Sequence, residues 1–167
     1  MIAPPEVLVN LFKPWGDFYG HSKTAETIVV SLHVGGILFG GGLAIAADRG
    51  TVRMMRASAG DRGHYLQELA ATHRWVLSGL TLVILSGLAL LASDFETFWG
   101  SWLYWLKMAL FAVLLWNGLG MTRAETALRS DASESSSAWG KLHRAAVTSL
   151  VLWFAITVLG VAVLNFS

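Results

Sequence analysis

The chain has 167 residues, 54% of them hydrophobic and 14% charged, with a mean hydropathy of +0.56. A charged fraction so far below the quarter usual for soluble domains excludes a water-soluble fold, and four apolar stretches fill more than half the length, leaving one domain, 1–167. The balance of 12 Lys and Arg against 11 Asp and Glu, net +1, argues against a nucleic-acid partner, and the absence of cysteine excludes disulfides, iron–sulfur clusters and thiolate ligands.

The first segment, 1–23, is not expected to be a secretory leader, because Glu6 and Lys13 fall where an uninterrupted apolar core would be required. Pro5 to Tyr19 is expected to form a short interfacial helix with Trp15, Phe18 and Tyr19 at headgroup level. Span 1 runs from about Thr27 to Ala47, long enough for the ~30 Å of hydrocarbon, and carries His33. Gly36 and Gly40 follow three and seven residues later, on the same helical face. They have two readings: a small-xxx-small face for a neighbouring helix, or a slot for a porphyrin or quinone ring beneath His33.

Arg49, Arg53, Arg56 and Arg62 follow, and then span 2, about Leu69 to Ala92, with His73 and Arg74 near its start. Within it Ser78-Gly79 and Ser86-Gly87 read as helix-packing contacts. The next connection offers Asp94 and Glu96 and no base. Span 3, about Phe98 to Gly120, carries Lys107 near its middle, close to an aromatic belt of Trp102, Tyr104 and Trp105. Arg123, Arg129 and Lys141 come next, around a Ser-rich run, Asp131 to Ser137, expected to be a flexible linker. Span 4, about Leu142 to Phe166, has His143 and Arg144 in its first turn.

Two basic connections on one side, against Lys13 and Lys23 alone on the other, predict cytoplasmic basic loops and both termini outside, in a bacterial inner membrane. The expected fold is all-α: an integral-membrane, up-down four-helix bundle preceded by the interfacial helix. Counting ~1.5 Å per residue from the span centres places His33 and Lys107 within roughly 6 Å of the midplane, and His73 and His143 roughly 10–16 Å toward the cytoplasm. In such a bundle spans 1 and 3 face each other across one diagonal and spans 2 and 4 across the other, so each level pair can meet at the axis.

Ionisable residues inside spans are functional by default. His73 and His143 match in depth and in the Arg that follows each, the pattern expected for axial ligands of haem b, with Arg74 and Arg144 pairing propionates or snorkelling. His33, Lys107, Gly36 and Gly40 would line a second haem or a quinone site. The competing readings are interfacial histidines at 73 and 143, a structural hydrogen bond from His33 to a neighbouring span, and outward snorkelling of Lys107. Met108 and Met121 read as packing, His21 and His64 as solvent-exposed. The function expected is a b-type cytochrome or electron-transfer subunit, with the bilayer and other membrane subunits or redox partners around it. A cofactor-free accessory subunit is the alternative from a different class.

Ser31-Leu32-His33-Val34-Gly35-Gly36 in span 1 and Trp102-Leu103-Tyr104-Trp105-Leu106-Lys107-Met108 in span 3 resemble segments of small bacterial membrane proteins of the HemJ-like and CopD-like type. In the HemJ-type protoporphyrinogen oxidases the corresponding features are a first-span His and a Trp-Leu-x-x-Lys segment. The interval from Trp102 to Lys107 is one residue longer than that pattern, and His73 and His143 have no counterpart in it. The resemblance implies a haem-binding bundle in which His33 and Lys107 are the functional pair, and an oxidase activity as a further alternative.

Overall fold

The computed structural model describes residues 3–130 and 136–166, all in helices or short connections, with no strand among them. Helix α1 covers Glu6–His21. Span 1 is built from α2 (Lys23–Gly36), one π turn (Ile37–Gly41) and α3 (Gly42–Met54). The other spans are α4 (Ala59–Ser93), α6 (Trp102–Ser130) and α7 (Ser136–Phe166), and the short α5 (Phe95–Gly100) joins α4 to α6. Polar side chains set the starts: Ser22, Ser58 and Asp94 each accept from a backbone N–H three residues on, at 3.2, 3.4 and 3.4 Å.

Among the described residues four helices are long and apolar enough to cross a membrane, Lys23–Met54, Gly60–Ser93, Trp102–Arg129 and Ser137–Asn165. Only 11% to 22% of each apolar window is buried inside the protein, so most of its apolar surface is available to lipid. These helices outrun the hydrophobic segments from which they were inferred. Arg49 and Arg53 lie on α3, Arg62 on α4, and Arg123 and Arg129 on α6, where loops were expected. The cause is that backbone hydrogen bonding continues through polar residues beyond the apolar stretch. Of the expected linker Asp131 to Ser137, residues 131–135 lie outside the described residues, and Ser136 already begins α7.

Span 1 packs along α4 and, through α3, against α7, while α6 packs along α7 and touches α4 sparsely. The π turn helps span 1 serve two neighbours at once. A π turn holds one residue more than an α turn and so changes the register of everything beyond it. Here consecutive glycines face different partners: a Cβ on Gly40 would lie 2.8 Å from Gly79 Cα on α4, and one on Gly41 3.0 Å from the Trp153 ring on α7. Three small cores fill the interior. Leu103, Tyr104 and Val163 form one, Leu114, Leu152 and Trp153 a second, and Leu66, Met121, Trp139, Leu142 and Ala146 a third.

The N-terminal segment is a helix, yet its tryptophan is held by protein. Trp15 Nε1 donates to the Ala89 carbonyl of α4 at 2.8 Å, Gly16 approaches the Ser93 carbonyl closely, and the Phe12 and Phe95 rings meet at a tilt, 5.2 Å between centroids. An indole N–H that finds a carbonyl in this way no longer needs a headgroup.

Candidate functional site

The polar groups of the interior fall into two sets. In the first, His33 of α2 meets α4: its Nδ1 lies 3.0 Å from Ser86 Oγ. The Ser86 hydroxyl has one proton, which it donates to the Leu82 carbonyl at 2.6 Å, so Ser86 accepts and His33 Nδ1 donates. In the neutral ring with its proton on Nδ1, Nε2 would carry the lone pair. Gly87 makes room for the ring, because a Cβ there would lie 3.2 Å from His33 Cε1. Lys107, half-buried on α6, lies within Coulombic range of His33. Its ammonium sits 5.5 Å from the centroid of the Tyr104 ring and has no carboxylate partner among the described residues. No hydrogen bond or ring contact joins His33 to Lys107; each is engaged by a different neighbour, Ser86 and Tyr104.

The glycines beside His33 have the packing role of the two considered. A Cβ on Gly36 would meet Val83 at 2.9 Å, and one on Gly79 would meet Gly40 Cα at 2.4 Å. Span 2 occupies the space that a ring beneath His33 would need. Gly36 and Gly40 are thus corrected from cofactor-slot residues to the seam between spans 1 and 2. The seam's other half is Ser78-Gly79 and Ser86-Gly87, which were read as packing contacts.

The second set joins the ends of the spans that carry the arginines. Glu125 of α6, 4% exposed, accepts from His73 Nδ1 of α4 at 3.1 Å and from Arg129, whose guanidinium also donates to the Leu66 carbonyl at 2.9 Å. Nearby, Asp48 of α3 is 2% exposed, is bonded by Ser149 of α7, and keeps Oδ2 without a partner. Tyr65 of α4 lies within Coulombic range of both carboxylates, donates to the Ala47 carbonyl at 2.5 Å and meets Thr51 at 3.0 Å.

His73 is directed by Glu125 toward α6. On α7, Ala138, Lys141 and Ala145 line a groove against α6. At about 100° per residue His143 lies on the opposite flank of α7. No hydrogen bond or ion pair joins His73 to His143. Arg74 lies over the neighbouring Trp75 ring, 5.1 Å from its centroid, and Arg144 is exposed. Met121 is core, Met108 faces outward, and His21 and His64 are exposed, the former bonded to the Asp17 carbonyl and the latter near Glu68.

Sequence reasoning did not single out Glu125, Asp48 or Tyr65, although Glu125 carried a signal. Leu103, Lys107, Leu110, Leu114, Asn117, Met121 and Glu125 follow one another at three- and four-residue intervals, the register of a single buried stripe. Comparison with protein-family models, with curated proteins and with solved structures finds no match.

Proposed function

We propose that the chain is an integral-membrane haem protein with an electron-transfer or oxidoreductase role, and that its porphyrin lies between spans 1 and 3. Lys107 is the observation that carries this reading. An ammonium on an interior stripe of a membrane helix costs at least ~2.5–3.5 kcal/mol unless it is neutralised, and no carboxylate of the described residues neutralises it. A ligand that brings its own carboxylates, as a porphyrin does through its propionates, supplies the counter-ion. His33 supplies the other half of a haem site: an imidazole held from Nδ1, with Nε2 bearing the lone pair that an iron would take. Haem would contribute one-electron chemistry, and the protein would hold, orient and shield it from water.

His33 and Lys107 are preferred here to the pair His73 and His143, because His73 Nδ1 is already engaged by Glu125. They are also the residues on which the likeness to protoporphyrinogen oxidases rests, so that activity is the second reading. The sparse contact between α4 and α6 fits an up-down order in which spans 2 and 3 stand further apart than the other adjacent pairs. Cytoplasmic placement of the end bearing Arg123, Arg129 and Lys141, with α1 near the outer surface, follows the charge asymmetry.

The test is spectroscopic. Protein purified from haem-replete cells is expected to show a Soret band and a reduced-minus-oxidised α band. His33→Ala should abolish or shift both, and Lys107→Ala should lower haem occupancy. A colourless, folded preparation refutes the reading and favours a cofactor-free subunit. Loss of the bands only in His73→Ala and His143→Ala would restore the other pair. Rescue of cells lacking protoporphyrinogen oxidase would decide for the oxidase activity.

A further inference from the structure

Between α6 and α7, at the end of the protein that carries the arginines, lies a groove of about 470 Å³. Its walls change character along their length. Trp116, Gly120, Ala124 and Ala145 are apolar or small, whereas Arg123 and Lys141 bring two cations to one end. Both cations are exposed and neither makes an ion pair or hydrogen bond with a described residue. They differ in this from Arg62 and Arg129, which are engaged by backbone carbonyls. The floor is closed by Asn117, whose amide donates to the Ala145 carbonyl at 2.8 Å and so ties the two helices below the charged end.

We propose that this groove binds one anionic phospholipid, its phosphate between Arg123 and Lys141 and the upper part of an acyl chain along Gly120, Ala124 and Trp116. The fit is one of chemistry and dimension. From Trp116 to Arg123 is seven residues, about 10 Å of helix, which matches the distance from a phosphate to the first several methylenes. The small residues leave the helix surface open to a chain, and the Trp116 ring, 73% exposed, offers it an apolar wall. Basic pockets between spans at a membrane surface bind anionic headgroups in this manner, and each Lys or Arg near the surface adds attraction there. Two such cations imply a preference of roughly 30-fold for an anionic over a zwitterionic lipid. The site is remote from His33 and Lys107 and does not depend on a cofactor.

The experiment uses the full chain, delipidated in neutral detergent and titrated with phosphatidylglycerol or phosphatidylcholine of the same acyl composition, with bound lipid counted by native mass spectrometry. One phosphatidylglycerol is expected to be retained per chain at concentrations where phosphatidylcholine is not. The variant Arg123→Gln with Lys141→Gln should reduce that retention at least tenfold. A control with the same loss of charge on α3 and the following turn, Arg53→Gln with Arg56→Gln, should keep it. Far-UV circular dichroism confirms that each variant is folded. If one variant fails to fold, quenching of Trp116 by brominated phosphatidylglycerol, measured against Trp116→Phe, reports on the same groove in the native chain. Equal retention of both lipids, equal losses in the two charge variants, or no quenching attributable to Trp116 would overturn the proposal.

Discussion

A single methyl group added at Gly40 tests how span 1 is held. Its Cβ would lie 2.8 Å from Gly79 Cα, and the reciprocal Cβ at Gly79 would lie 2.4 Å from Gly40 Cα. Carbon atoms rest at about 3.5–4.0 Å, and here the obstacle is backbone, so the helices must part by on the order of 1 Å. Overpacking of this kind costs about 1–3 kcal/mol. Alanine also gains up to ~1 kcal/mol over glycine in a helix, which partly offsets the cost. Gly42→Ala removes that ambiguity, because nothing lies within 4 Å of a Cβ there. It receives the propensity gain without the clash, and the difference between the two variants isolates the steric cost. Unfolding in mixed micelles with increasing dodecyl sulfate, followed by circular dichroism, gives both free energies. Gly40→Ala and Gly79→Ala should each fall about 1–3 kcal/mol below Gly42→Ala, and their combination should cost less than their sum, since they load one contact. Equal stability of Gly40→Ala and Gly42→Ala would refute the close seam and reopen the space beneath His33 to a ring.

Glu125→Gln should destabilise the end bearing the arginines by about 1–2 kcal/mol, below the cost of breaking a fully buried pair because Arg129 is 40% exposed. Hydrogen exchange should then quicken at the end of α6, and a double-mutant cycle with His73→Ala should show coupling; additivity would place the two side chains apart. Trp15→Phe removes the bond to Ala89 at about 0.5–1.5 kcal/mol and should speed proteolysis within α1 while leaving the spans intact. Asn117→Leu should cost no more than about 1 kcal/mol in the same micelle titration, the usual worth of one interhelical hydrogen bond in a membrane.

Four helices long and apolar enough to span, and the exposure of His21 and His64, could be read from hydropathy and from a rise per residue. Asp48 and Glu125 could not be read that way, because spans were ended where the apolar run ended, at Ala47 and Gly120. Both carboxylates lie just beyond, on turns that stay helical, and Glu125 keeps the stripe of Leu114 and Met121. The choice between the two roles of Gly36 and Gly40 had no local signal. It depended on Gly79 arriving opposite them from a helix some forty residues later, and periodicity within one helix cannot report on its neighbour.

Lipid gives helices no hydrophobic reason to associate, so close approach and polar ties must hold this protein together. The first serves spans 1 and 2 through Gly36, Gly40 and Gly79. The second serves the other pairs: Ser149 with Asp48 between spans 1 and 4, Glu125 with His73 between spans 2 and 3, and Asn117 with the Ala145 carbonyl between spans 3 and 4. Each of these ties is made within the protein, with only Asp48 Oδ2 left over, and all lie in the half of the molecule that carries the arginines. The other half has His33 satisfied by Ser86, and then Lys107, which touches only the face of Tyr104. The Tyr104 face is not a counter-ion, and no carboxylate of the described residues supplies one. A ligand that supplied the missing anion would give Lys107 one, and the haem site proposed between spans 1 and 3 rests on that requirement.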